Sequence, residues 1–243
     1  MIELSWQDRV AVVTLDRPDR HNALNVELCR RIEAVIAEAG AARAIVLTGN
    51  GRSFCSGADL GEVYTADFRD ALYRMLHTVT DAPVPVIAAV NGAAIGAGTQ
   101  LAIAADFRVV AERARFSVPT ARLGLAVDPW TIRRLALLAG NGVARRLLLA
   151  CDQLEADAAL ASGLADRAGT VEEALAWARQ TAELAPLTQA YSKRVLNEVF
   201  EPEFDEALDT RLHEAFEGCW ASEDFAEGRL ARTEKRQPVF QGR

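Results

Sequence analysis

An α/β fold closed by a helical C-terminal region is what three features of this sequence predict. Short apolar runs of strand type alternate with stretches of helical period as far as Val118. From Trp130 onward the pattern is nearly all helical. No internal repeat or low-complexity linker interrupts the 243 residues, so composition marks off no separate domain.

The elements follow in order. Residues 2–6 and 10–15 read as strands joined at Gln7-Asp8-Arg9, a hairpin, and Arg17-Pro18-Asp19 breaks the second. From Asn25 to Ala39, Leu28, Ile32, Val35 and Ile36 recur at helical spacing, with Gly40 as the stop. Arg43 to Leu47 is a strand ended by Thr48-Gly49-Asn50-Gly51, and Asp67 to Val79 is a helix. Pro85 to Val90 is a buried strand ended by Asn91-Gly92. Ile95 to Ala105 is apolar, rich in small residues and uncharged, as in a helix buried on all sides. Asp106 to Val110 and Ala114 to Val118 are two further strands, and the later helices stop at Gly140, Gly142, Gly163 and Pro186.

Composition excludes several function classes. Half of the residues are hydrophobic and a quarter are charged, the balance of a globular chain that buries a core without staples. The net charge is −7, and no Lys/Arg cluster forms the basic face that a nucleic-acid binder needs. Cys29, Cys55, Cys151 and Cys219 are scattered and His21, His77 and His213 stand far apart, so no metal site is expected. Isolated cysteines fit a reducing cytoplasm. The N-terminus carries Glu3, Asp8 and Arg9, unlike a signal peptide, and no apolar run is long enough to span a membrane.

Two segments share a physical design. Gly49 to Leu60 (GNGRSFCSGADL) and Asn91 to Gly98 (NGAAIGAG) each follow a strand and run through small residues toward a helix. Small residues let a ligand approach the backbone, and free N–H groups at a helix start attract developing negative charge. Taken singly, each is equally well an ordinary glycine-rich βα turn. If one N–H from each met the same carbonyl oxygen, the pair would form an oxyanion hole.

These blocks carry a family resemblance. LDRPDRHNALN (15–25), GNGRSFCSGADL (49–60) and VNGAAIGAGTQLAIAADFRVV (90–110) resemble the successive blocks of the crotonase superfamily, in order and spacing. The ending EKRQPVFQG (234–242) resembles that family's C-terminus. The resemblance implies a crotonase (ClpP-like) spiral of ββα units over residues 1–190, and a helical region over 191–243 that builds trimers, often paired as hexamers. It implies a coenzyme A thioester as ligand and no other cofactor. By position, the backbone N–H groups of Ala58 and Ala97 form the oxyanion hole. Arg20, Ala23, Leu24, Ala58, Asp59, Leu60, Gly61, Gly96, Trp130 and Lys235 contact the ligand, with Arg20 and Lys235 as candidates for its phosphates.

Hydration of an enoyl thioester also needs a water activated and its proton returned to carbon. Hydratases of this family use two glutamates, and at those positions this chain has Gln100 and Thr120. Neither side chain takes a proton near neutral pH. Losing both groups removes about 5–10 kcal/mol of transition-state stabilisation, since each contributes roughly 10²–10⁴-fold. One carboxylate remains: Asp128 lies where isomerases of the family place a catalytic aspartate, and it is equally the N-cap of a helix opened by Pro129-Trp130. Trp130 reads as acyl-pocket wall or as core. Arg133-Arg134 and Val-Asp-Pro-Trp-Thr (127–131) depart from the family pattern, so the acyl end of the pocket is remodelled.

Two functional readings stay open: an acyl-CoA binder with little or no hydratase activity, or an active hydratase or isomerase that uses Asp128. GLAVDPWTIRRL and the ending resemble an actinobacterial subgroup of enoyl-CoA hydratase homologues that lack both glutamates. That subgroup's role in mycobacterial fatty acyl-CoA handling implies fatty acyl-CoA, and other fatty-acid synthesis proteins, as partners.

Overall fold

The computed structural model describes residues 1–200 and 206–243. The expected hairpin is present: β1 (Ile2–Gln7) and β2 (Val10–Leu15) pair antiparallel, with Asp8 at φ 57° in the turn. Helix α1 (Val26–Glu38) starts at Asn25, whose Oδ1 accepts the Leu28 N–H at 2.9 Å. That bond satisfies one of the donors a helix start leaves free.

Three similar turns follow. β3 (Ala44–Gly49) leads to β4 (Ser53–Cys55) and α2 (Ala66–Asp81). β5 (Val86–Val90) leads to β6 (Ala93–Ile95) and α3 (Ala97–Ala104). β7 (Phe107–Val110) leads to β8 (Arg115–Ser117), a 3-10 turn over Pro119–Leu123, and α4 (Pro129–Ala139). The remaining elements are α5 (Asn141–Leu149), β9 (Gln153–Glu155), α6 (Ala156–Ser162), β10 (Arg167–Ala168), α7 (Val171–Ala182), α8 (Pro186–Phe200), α9 (Glu206–Trp220) and α10 (Glu223–Thr233).

Each turn lays one strand on each of two sheets, ordered β1-β2-β3-β5-β7-β10 and β4-β6-β8-β9, so the chain winds as a spiral. The central strands of the larger sheet are parallel and buried on both faces. Ile45, Leu47, Val86 and Ala88 face one core with α1 and α2; Val46, Ile87 and Val109 face a second core under α7. Two-sided burial explains their continuous apolar runs, and the period of two sorts residues between the cores. Helix α3 runs through the first core, and all eight of its residues are buried, as its composition predicts. Leu101 and Ile103 are fully enclosed, worth about 1.5–3 kcal/mol each by transfer. Successive turns touch backbone to backbone: a Cβ on Gly98 would stand 2.0 Å from Cys55 O, so only glycine fits.

The structure corrects several boundaries. Ile95 ends β6 rather than opening a helix, and β4, β6, β9 and β10 were not expected as strands. Strands of two or three residues show no periodicity; only non-local pairing defines them. Gly142 lies inside α5, and Pro186 opens α8, in keeping with proline's fit to a first helical turn. Gly140 and Gly163 do end helices, at φ 79° and 81°. A division at 190/191 falls inside α8, and residues 201–205 of the expected C-terminal region lie outside the described residues.

The C-terminal elements fold back over the spiral. Helix α10 lies on the turn Pro119–Leu123, and a Cβ on Gly228 would stand 2.2 Å from Leu123 O. The tail then secures α10: the N–H groups of Gln241 and Gly242 donate to Asp224 at 2.6 and 2.8 Å. Among the described residues no helix is long and apolar enough to cross a membrane, and no group of three His, Cys, Asp or Glu side chains could hold a metal ion.

Candidate active site

The two glycine-rich segments meet. Leu24 N–H donates to Gly57 O at 2.8 Å, and Asp59 N–H donates to Leu24 O at 2.6 Å. In such a parallel bridge the residue between, Ala58, turns its own N–H away from Leu24. A Cβ on Gly57 would lie 2.7 Å from Ile95 O and 3.8 Å from Ala97 N, so the segments are in direct contact. Ala97 is the first residue of α3, where no intrahelical acceptor exists for its N–H. Neither the Ala58 nor the Ala97 N–H has an acceptor among the described residues, and both residues line one cavity of about 240 Å³. The first segment differs from expectation in one respect: α2 starts only at Ala66, capped by Thr65, so strand geometry and not a helix start frees the Ala58 amide.

Gln100 and Thr120 line the same cavity. Gln100 sits one turn into α3, and its Nε2 donates to Thr131 Oγ1 at 2.9 Å. Thr131 in turn donates both its N–H, at 3.3 Å, and its hydroxyl to Asp128 Oδ1. The Asp128 N–H donates to the Tyr73 hydroxyl at 3.2 Å. Asp128 is therefore the N-cap of α4, and it is not among the cavity-lining residues. Burial pushes its carboxyl up, while the Thr131 hydrogen bonds and His77 work against that rise. Tyr73 is pushed up first by burial and then by the charge of Asp128, against hydrogen bonds from the Asp128 backbone and the Gln100 side chain.

The cavity wall is otherwise mostly apolar, with Phe68, Leu72 and Val127 among its residues. Two cations join them. Arg69 is engaged, 3.1 Å from Glu217 and stacked 5.2 Å from the Trp220 ring centroid. Arg232 reaches the cavity from α10. Among the described residues, no Asp, Glu, His or Lys side chain lines the cavity.

Residues 5–243 match the family model for enoyl-CoA hydratase/isomerase. The chain belongs to the enoyl-CoA hydratase/isomerase family. It is 46% identical over 245 residues to "Probable enoyl-CoA hydratase echA6" of Mycobacterium tuberculosis (strain CDC 1551 / Oshkosh), covering 100% of both chains. It is 34% identical to the short-chain-enoyl-CoA hydratase of Clostridium acetobutylicum, over 96% of this chain and 95% of that one. Among solved structures, the enoyl-CoA hydratase/isomerase from Pseudoalteromonas atlantica T6c superposes with TM-score 0.88 at 33% identity, over 99% of each chain. Methylmalonyl CoA decarboxylase complexed with 2S-carboxypropyl CoA gives TM-score 0.91 at 25% identity, over 100% of this chain and 98% of that one. The spiral is thus the crotonase fold.

Of the residues that the family pattern singles out, Ala58, Leu60, Gly96, Ala97, Gln100 and Thr120 line the cavity. Arg20, Ala23, Leu24, Asp59, Gly61, Asp128, Trp130 and Lys235 do not. Leu24 is buried behind Ala58, and Asp59 is paired with Arg17 at 3.2 Å. Arg20 and Lys235 are exposed. Trp130 is core: it is 8% exposed, with Arg134 5.4 Å from its ring centroid, and it borders a separate cavity beside α8. Sequence reasoning missed Arg69, Tyr73 and Arg232. The spacing of Arg69 and Tyr73 on α2 put them on one helix face, but nothing local said that this face borders the site.

Proposed function

We propose that this family member binds fatty acyl-CoA thioesters in lipid metabolism and hydrates enoyl thioesters little or not at all. The carrying observation is a wall with two unengaged amides, Ala58 and Ala97, and no side chain able to act as a base near neutral pH. In this reading the amides polarise the thioester carbonyl, the apolar wall takes the acyl chain, and no group activates water. Arg20, Ala23, Leu24, Asp59, Leu60, Gly61 and Lys235 border the coenzyme A moiety along the segments that flank Ala58. Gln100 and Thr120 hold water or ligand by hydrogen bonds without taking a proton. The relatives named as hydratases, and a neighbour solved with a coenzyme A ligand, support the ligand class. Presentation of the bound acyl chain to a fatty-acid synthesis enzyme fits a binder of this kind.

Proton transfer by Asp128, the alternative, needs a carboxylate that reaches the cavity. Two hydrogen bonds from Thr131 occupy Asp128 Oδ1 in its capping role, which favours the binding reading.

The test is a hydration assay with crotonyl-CoA beside calorimetric titration with saturated acyl-CoA. Binding with turnover well below the ordinary range of about 1–10³ per second is expected. Turnover within that range, or no association with any acyl-CoA, would refute the reading.

A further inference from the structure

The amides of Ala58 and Ala97 are held by different means. Ala97 opens α3, and the close approach of Gly98 to Cys55 O seats that helix start against β4. Ala58 lies in no strand or helix. It faces Leu24 in an isolated parallel bridge, closed by two backbone hydrogen bonds alone: Leu24 N–H to Gly57 O at 2.8 Å and Asp59 N–H to Leu24 O at 2.6 Å. A bridge outside a sheet has no adjoining ladder to fix its register.

Arg17 spans that bridge. Its Nη1 donates to Ala23 O at 2.8 Å and its Nη2 to Asp59 Oδ2 at 3.2 Å. One planar fork thus holds the residue before Leu24 and the residue after Ala58. The ion pair is largely enclosed, with side-chain exposures of 16% and 24%, unlike a solvated surface pair. Asp59 is itself steadied, since its Oδ1 accepts the Gly61 N–H at 3.2 Å. Asn22 anchors the loop from which Arg17 reaches out. Its fully buried side chain accepts the Arg17 N–H at 2.9 Å and donates to Asn50 O at 3.0 Å and Ser53 O at 2.8 Å. Those bonds tie the loop after β2 to the segment that carries Ala58. His21 and Asn22 both take left-handed backbone, φ 51° and 58°. Residues with side chains keep that costly conformation only where their surroundings over-determine it.

We infer that Arg17 is a positioning residue, itself held by Asn22, which keeps the Ala58 N–H aimed at the ligand's thioester carbonyl through Ala23 O and Asp59. This rests on the acyl-thioester reading above and adds to it the side chain that sets one of the two amides. Arg17 is not among the cavity-lining residues, so its effect on a ligand runs through Ala58.

The experiment is infrared difference spectroscopy of the full-length protein saturated with hexanoyl-CoA, isotope-labelled at the thioester carbonyl. Calorimetric titration with hexanoyl-CoA and with free coenzyme A accompanies it. In the wild type the carbonyl stretch is expected to fall in frequency on binding, because two donors draw charge onto the oxygen. Arg17→Met keeps the aliphatic stem and opens the fork. It is expected to lose about half of that shift, since one of two donors is displaced. Affinity for hexanoyl-CoA is expected to drop about fivefold, while free coenzyme A, which has no thioester carbonyl, stays within about twofold. Asp59→Ala, a second variant should Arg17→Met fail to fold, loses the same part of the shift. A wild-type carbonyl that binds without moving, a full shift in Arg17→Met or Asp59→Ala, or an equal loss of affinity for both ligands in Arg17→Met would each overturn the inference and leave acyl-CoA binding intact. Failure of hexanoyl-CoA to bind the wild type would remove both readings.

Discussion

Asp128 caps α4 and is largely enclosed, and these facts pull its proton affinity in opposite directions. The Thr131 hydrogen bonds favour the charged form, yet burial prevails and the carboxyl is raised above its usual value of 3.8. With a folded pKa above the unfolded one, the native state binds more protons between the two, so stability falls as pH rises through that window. Above it the full cost of burying the charge persists. Asparagine caps a helix as well as aspartate and carries no charge. Asp128→Asn is therefore expected to match the wild type in stability near pH 4 and to exceed it at neutral pH. Urea unfolding of both proteins at the two pH values checks this; a variant less stable at neutral pH would contradict it. The cap was legible from Asp128-Pro129 alone. Its link to Gln100 was not, because a hydrogen bond between residues 31 positions apart leaves no local trace.

At the scale of elements, the cavity depends on how α10 lies on the turn Pro119–Leu123. Gly228 permits the contact, since any side chain there meets Leu123 O. Gly228→Leu is expected to lift α10, displace Arg232 and Thr120 together, and weaken hexanoyl-CoA binding about tenfold or more, with destabilisation of roughly 1–3 kcal/mol. Titration calorimetry and thermal melts read the two effects; unchanged affinity would show that α10 does not shape the site. The long periodic elements, α1, α2 and α3, were readable from spacing and composition. β4 and β6, which bring Ala58 and Ala97 together, were not, because three residues carry no period and their pairing spans about forty positions of chain. The sequence thus supplied the site's backbone segments through family resemblance, while their convergence is a property of the second sheet.

For the whole molecule, α8 presents an apolar face that is open among the described residues: Leu187 is 83% exposed, Tyr191 69% and Val195 38%. Exposed patches of this kind mark contact surfaces. The expected occupant is another copy of the chain, as the family's trimers and hexamers imply. Leu187→Asp is expected to reduce the sedimenting mass to that of a monomer while far-UV circular dichroism is unchanged. A wild-type protein that sediments as a monomer would place the occupant of that face elsewhere.

The contact between Gly98 and Cys55 O carries a broader consequence. Where one winding of main chain rests directly on the next, the amide of Ala97 is set by the frame itself and lies beyond the reach of ordinary residue exchange. Side chains around the acyl group remain free to drift. A lineage built this way can shed its reactive groups one at a time and still hold the same cargo, so kinship in this family reports on what is carried more dependably than on what is done to it.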